Sequence, residues 1–242
     1  MKLCAQHFKH QNMESITPRW KSLTTAAITH CNQPLLIYGR PYTTLTEDLW
    51  TLLTDAERTS AQKMPAEASN TWLWCRATLR KCLGVKLNTD PAGIQFSYNA
   101  QGKPALHNQA LHFNVSHTSS SFLVGIAQEP IGVDIESIPE DIDAVTADFV
   151  LSAQEKRYCK NGENLPAFAQ IWTLKEAFLK ASGLGLVDDL PSINVDPCTE
   201  NNSIGQSGWN SVSLVCPGAE IGAFVGNSAA NLEFLLACST TT

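Results

Sequence analysis

No stretch of this 242-residue chain reaches the ~18 consecutive apolar residues that a membrane helix needs. Its first residues, Met1-Lys-Leu-Cys-Ala-Gln-His7, lack the apolar core of a signal peptide, so the expected location is the cytoplasm, with no membrane partner. Cations are also scarce: 17 Lys and Arg face 23 Asp and Glu, for a net charge of −6. A broad basic face for nucleic acid is thereby excluded, and an anionic ligand would have to be held locally by a few cations or a metal. The 8 cysteines include no C-x-x-C pair. Cys4, Cys31, Cys75, Cys82, Cys159, Cys198, Cys216 and Cys238 are scattered, which suits neither a zinc site nor a disulfide framework; free thiols in a reducing compartment are expected. Several enzyme signatures are missing too: G-x-S-x-G, G-x-x-x-x-G-K-[ST], and G-x-G-x-x-G after a strand.

A hydrophobic content of 43% and a charged content of 17% describe a globular chain, long enough for one large or two modest domains. Residues 1–30 are polar and irregular. Leu35–Tyr38 reads as a strand, Thr46–Lys63 as a helix, and Ser69–Leu83 as a second helix ended by Gly84. Ile94–Tyr98, Leu111–Val115 and Phe122–Ala127 read as strands, with turn chemistry at 99–104. After a break near Gln128-Glu-Pro130 come a strand at Ile131–Ile135, a capping box at Ser152-Ala-Gln-Glu155 and a helix from about Leu165 to Ser182, stopped by Gly183. Strands at Val212–Val215, Ile221–Val225 and Leu232–Leu236 follow. The expected class is α+β, with two similar-sized subdomains, 1–128 and 129–242, and a site in the cleft between them.

Two stretches carry the chemistry. In Gly132-Val-Asp-Ile-Glu136, Asp134 and Glu136 alternate with apolar residues, so a strand would aim both carboxylates to one face while the other face is buried. In Trp172-Thr-Leu-Lys-Glu-Ala-Phe-Leu-Lys180, Glu176 and Lys180 are spaced i, i+4 and share a helix face with Trp172. Taken separately, each has a plain explanation, as a solvated edge strand or an ordinary helix ion pair. Together, three carboxylates and an ammonium are what a Mg²⁺–pyrophosphate site requires, with hard oxygen ligands and a cation for phosphoryl charge. Ser116 and His117 end the apolar strand of Phe113-Asn-Val-Ser-His117, and Gly102-Lys103-Pro104 is a turn bearing one cation. The remaining histidines show no ligand spacing.

These four motifs, in this order and spacing, resemble the 4′-phosphopantetheinyl transferases over roughly residues 45 to 225. The length is similar to that of the two-halved Sfp-type members. That resemblance implies a monomeric pseudodimer whose halves are related by a pseudo-two-fold axis, with the active site between them. It implies transfer of the 4′-phosphopantetheine arm of coenzyme A to a serine of an apo acyl or peptidyl carrier protein, leaving adenosine 3′,5′-bisphosphate. Asp134, Glu136 and Glu176 would ligate Mg²⁺, and Lys180 would contact the phosphates. Ser116 and His117 would meet the 3′-phosphate region, and Gly102, Lys103 and Pro104 would lie beside the adenine. Either Glu176 or a water held by the metal would take the serine proton. The chain departs from the family between Met64 and Cys75, where the usual cations are absent. Arg58 is left as the expected coenzyme A contact of that segment, and Arg76 and Arg80 stand where the family has arginines. The competing readings are a non-catalytic module that binds coenzyme A or a carrier protein, and a Mg²⁺-dependent phosphohydrolase.

Overall fold

Alternation along the strands decides which residues face the helices and which face the middle of the molecule. The computed structural model describes residues 15–99, 102–107, 110–185, 189–195, 203–204, 208–227 and 231–237. Its strands are β1 (Ser15–Ile16), β2 (Lys21–Ser22), β3 (Leu35–Gly39), β4 (Phe96–Tyr98), β5 (Pro104–Leu106), β6 (His112–His117), β7 (Phe122–Ala127), β8 (Ile131–Glu136), β9 (Ser203–Ile204), β10 (Trp209–Val215), β11 (Ile221–Gly226) and β12 (Glu233–Leu236). Its helices are α1 (Thr25–Thr29), α2 (Glu47–Trp50), α3 (Asp55–Ala61), α4 (Ala66–Leu87), α5 (Ala144–Val150), α6 (Ala153–Tyr158) and α7 (Leu165–Ser182). The architecture is mixed α and β, in keeping with the expected class.

The first sheet runs β2-β12-β3-β7-β6; the second runs β1-β10-β11-β8, with β9 also on β10. The break expected near residue 128 falls between β7 and β8, yet two short terminal strands cross it. β12 pairs in parallel with β3 of the first sheet, and β1 pairs in parallel with β10 of the second. Leu35, Ile37, Phe122, Val124 and Ile126 pack under α4. Leu36, Tyr38, Leu123, Ile131, Val133, Ile135, Leu214 and Phe224 form a core between the sheets. Ala223 and Val225 pack against α7. In β8 the apolar residues therefore point to the inter-sheet core, which leaves Gly132, Asp134 and Glu136 on the α7 side, as the alternation predicted.

Several expected boundaries shift for identifiable reasons. The helix expected over Thr46–Lys63 is two short helices, because Thr54 and Glu57 form a capping box that restarts the chain at α3. α4 does not stop at Gly84; it runs to Leu87 and ends at Asn88 with φ 48°. Gly84 instead lets Pro91 pack close, since a Cβ there would lie 2.6 Å from the proline Cγ. The capping box at Ser152 and the α7 stop at Gly183, with φ 71°, stand as read. Cys31, Cys75, Cys82, Cys159 and Cys216 are free thiols, and burial pushes Cys75 and Cys82 up to about 12. Cys4, Cys198, Cys238, Ala100 and Gln101 lie outside the described residues. Among the described residues no helix is long and apolar enough to cross a membrane.

Gly132 is where α7 meets β8. A Cβ at this position would lie 1.8 Å from the Ala177 carbonyl oxygen and 2.5 Å from the Ala181 nitrogen, and helix backbone cannot yield as a side chain would. Gly132→Ala is expected to cost about 3 kcal/mol, lowering the thermal midpoint by roughly 6–12 °C. Gly93→Ala, whose nearest neighbour would be 3.7 Å away, should stay within about 2 °C of the parent. Thermal unfolding followed by circular dichroism checks both; equal midpoints would refute the close packing.

Candidate active site

Three elements converge on one cavity of about 450 Å³, lined by Val115, Ser116, His117, Asp134, Glu136, Trp172, Glu176 and Lys180. β6 delivers Ser116 and His117 at its end, β8 delivers the two acids, and α7 delivers Trp172, Glu176 and Lys180 from successive turns of one stripe. α7 is set by its ends: the Asn164 side chain accepts from the Ala167 N–H at the start, and Gly183 closes the end. Its rotation is fixed by Lys175 on the adjacent flank, about 100° round the helix from Glu176. That ammonium is fully buried and donates to Glu155 Oε2 at 2.6 Å, to the Val150 carbonyl at 2.8 Å and to the Leu190 carbonyl at 3.1 Å. Lys175, adjacent to Glu176 in sequence, is thus a structural anchor and not part of the cavity.

The centre of the site is one carboxylate oxygen. Lys180 Nζ lies 2.6 Å from Asp134 Oδ1 and 3.1 Å from Ser116 Oγ, and Ser116 Oγ donates to the same Asp134 oxygen at 2.7 Å. Lys180 therefore reaches across to β6 and β8 instead of serving as a plain helix partner for Glu176. Asn114 strengthens the junction by accepting from the Val133 N–H at 2.9 Å. Trp172 Nε1 donates to Glu136 Oε1 at 3.4 Å. Burial, and secondarily the Asp134 charge, hold the Glu136 and Glu176 carboxyls above their ordinary range, with Lys180 opposing. His117 is exposed at the end of β6, yet the protein atoms around its imidazole partly desolvate it and, with the nearby Lys180 charge, lower its pKa.

Asp134 Oδ2 and Glu176 Oε1 are buried without a hydrogen-bond partner among the described residues, a condition that costs stability unless something polar meets them. The donors are hard oxygens, the kind that take Mg²⁺. Among the described residues no three His, Cys, Asp or Glu side chains form a ready-made metal cage. The three acids share a cavity and bring two orphaned oxygens, so they fit a hard divalent ion that carries further oxygen ligands of its own.

A second cavity of about 270 Å³ adjoins the first, sharing Val115, Glu176 and Lys180, and is walled by Asn99, Gly102, Lys103, Pro104, Asn114, Leu179, Gly183 and Gly185. Gly102, with φ 79°, makes the turn there. Lys103 Nζ donates to the Lys180 carbonyl at the end of α7, and burial lowers its pKa.

Arg58 is not brought to these cavities. Its guanidinium pairs with Asp55 at 3.1 Å, donates to the Trp50 carbonyl at 3.0 Å and lies over the Trp50 ring. Arg80 braces the fold through Glu57 and the carbonyls of Pro91, Ala92 and Ile94. Arg76 differs from both. Its Nε also pairs with Glu57 at 3.5 Å and it stacks on Trp72 and Phe96, but its Nη1 has no partner among the described residues and it lines a small hollow with His117. Its match to a family arginine singled it out with Arg80, but the hollow shared with His117 was not legible, because the approach of α4 to the end of β6 is a tertiary contact.

Comparison with known proteins bears out the resemblance. Residues 130–213 match the family model described as the 4′-phosphopantetheinyl transferase superfamily. A 4′-phosphopantetheinyl transferase of Aneurinibacillus migulanus is 32% identical over 49% of this chain and 50% of its own length. One from Bacillus subtilis is 32% identical over 48% of this chain and 54% of its own. The mouse L-aminoadipate-semialdehyde dehydrogenase-phosphopantetheinyl transferase is 30% identical over 60% and 52%. The chain spans about half the length of the curated relatives it matches.

The crowding of acids has a consequence for stability. The fold raises the Glu176 carboxyl above 4.5, so the folded state binds that proton more tightly than the unfolded chain does, and stability is lost as pH rises through the folded value. In metal-free buffer at about pH 7, Glu176→Gln should therefore unfold at a higher temperature than the parent, and the gap should close below about pH 4. A Gln variant less stable than the parent at neutral pH would contradict a carboxyl raised by burial and by Asp134.

Proposed function

We propose that this chain transfers the 4′-phosphopantetheine arm of coenzyme A to a serine hydroxyl of an apo acyl or peptidyl carrier protein, releasing adenosine 3′,5′-bisphosphate. The observation that carries the reading is the convergence of Asp134, Glu136, Glu176 and Lys180 on one cavity that opens beside the Gly102-Lys103-Pro104 turn. The match of residues 130–213 to the transferase superfamily supports the same conclusion.

In this reading Asp134, Glu136 and Glu176 hold Mg²⁺, which, when bound, neutralises charge on the pyrophosphate and orients it. Lys180 supplies a second positive charge to the phosphates, and Ser116 and His117 line their path. Lys103, with Gly102 and Pro104, borders the adenine. Either Glu176 or a water held by the metal would accept the serine proton. Residues 1–128 and 129–242 are taken as the two halves of a monomeric pseudodimer related by a pseudo-two-fold axis. The first half serves the adenine and 3′-phosphate, and the second serves the metal and the chemistry. The free thiols suit a reducing cytoplasm.

One observation favours the non-catalytic alternative. The segment from Met64 to Cys75 contains no cation, and Arg58 is committed to Trp50 and Asp55, which thins the grip on coenzyme A. Mass spectrometry of a panel of apo carrier proteins incubated with the chain, coenzyme A and Mg²⁺ separates the readings. The expected result is a mass gain of one phosphopantetheine arm on the carrier serine, lost with chelator and with Asp134→Ala. Coenzyme A binding without transfer to any carrier would leave the binding module standing, and an active Asp134→Ala would overturn the metal assignment.

A further inference from the structure

A buried carboxylate remote in sequence from the acid cluster lies at the same end of the second sheet. Glu220 immediately precedes Ile221, whose register partner across the β8–β11 pair is Glu136. It is 4% exposed. Ser121 Oγ donates to its Oε1 at 2.5 Å, Tyr38 Oη donates to its Oε2 at 3.1 Å, and Arg40 Nη1 stands 3.7 Å from Oε1. Ser121 closes the turn that follows His117. The Thr118 N–H donates to the Ser121 carbonyl at 2.8 Å, and the N–H groups of Ser120 and Ser121 donate to Thr118 Oγ1 at 3.2 and 3.0 Å. From the other side, the Thr71 hydroxyl on α4 donates to the Ser119 carbonyl at 2.8 Å.

The turn carrying His117 belongs to the first sheet, and the acid that grips it belongs to the second. Apolar packing already joins the two sheets through Tyr38, Leu123 and Phe224, so cohesion does not require a buried charge, which is costly to desolvate. What a carboxylate shared by two hydroxyls adds is direction: each bond fixes where Ser121 and Tyr38 stand relative to the end of β8 and the start of β11.

We propose that Glu220 is a positioning residue which, through Ser121, sets the 118–121 turn and with it His117 against Asp134 and Glu136, and so tunes affinity for the phosphate-bearing co-substrate. This deepens the proposed function and rests on it. Glu220 itself does not line the cavity of Ser116, Asp134 and Lys180.

Calorimetric titration of coenzyme A in Mg²⁺ buffer into the full chain tests it, using Ser121→Ala, Glu220→Gln, His117→Ala and the His117→Ala/Ser121→Ala double variant. Ser121→Ala and Glu220→Gln should each weaken binding about tenfold, the loss expected for a hydrogen bond to a charged group. Turnover at saturating coenzyme A should stay within about twofold, so that KM moves and kcat does not. In the His117→Ala background, Ser121→Ala should add nothing, because its effect passes through the imidazole. Unchanged affinity in Ser121→Ala, or fully additive losses in the double variant, would reduce the cluster to sheet cohesion and overturn the proposal while the transferase reading stands. Should Glu220→Gln fail to fold, Ser121→Ala and the double variant decide alone. A wild type that binds no coenzyme A would sink the functional reading beneath it.

Discussion

The architecture of the site depends on a single oxygen, Asp134 Oδ1, to which Lys180 and Ser116 both donate. The three residues come from a helix and two strands, and Asp134 is almost fully buried. A carboxylate so placed is tolerable only while its partners stay within hydrogen-bonding distance, so the contact constrains α7, β6 and β8 together. Gly132, two residues earlier on the same face of β8, permits the close helix approach that makes the reach of Lys180 possible. Lys175, pinned by Glu155 on the adjacent flank of the helix, keeps that face of α7 turned toward the acids.

Around this contact the protein carries unbalanced negative charge. Lys180 answers one of the three carboxylates, while Glu136 and Glu176 are pushed above their usual range by burial and by Asp134. Buried oxygens on Asp134 and Glu176 have no hydrogen-bond donor among the described residues. Such strain is typical of functional sites, where stability is given up for chemistry. A divalent cation accompanied by phosphate oxygens would relieve it at once, adding positive charge to the acids and more oxygens for the metal. The adjoining cavity with Lys103 at its wall provides room for the rest of such a ligand.

Much of this was legible in the residue order, because the relevant signals are local. A period of two placed Asp134 and Glu136 on one face, and a period near 3.6 aligned Trp172, Glu176 and Lys180. The Ser152 box and Gly183 marked helix ends through hydrogen bonds made within a few residues. The rest depends on contacts that sequence spacing does not encode. Gly84 looked like a helix stop, but its role is set by Pro91 packing against it. Arg58 looked free to grip a ligand, yet Trp50 and Asp55 hold it. Glu220 and Ser121, 99 residues apart, carry no mark in either segment that they meet, and the crossing of β1 and β12 between sheets is equally silent.

The central claim is that Asp134, Glu136 and Glu176 form an incomplete cation site, closed by a ligand that brings its own phosphate oxygens. Electron paramagnetic resonance of Mn²⁺ titrated into the wild type and Asp134→Asn, each with and without coenzyme A, addresses it directly. Mn²⁺ should bind weakly to the protein alone and tightly once coenzyme A is added, and Asp134→Asn should lose that enhancement. Equal Mn²⁺ binding by the two proteins in the presence of coenzyme A would contradict the claim.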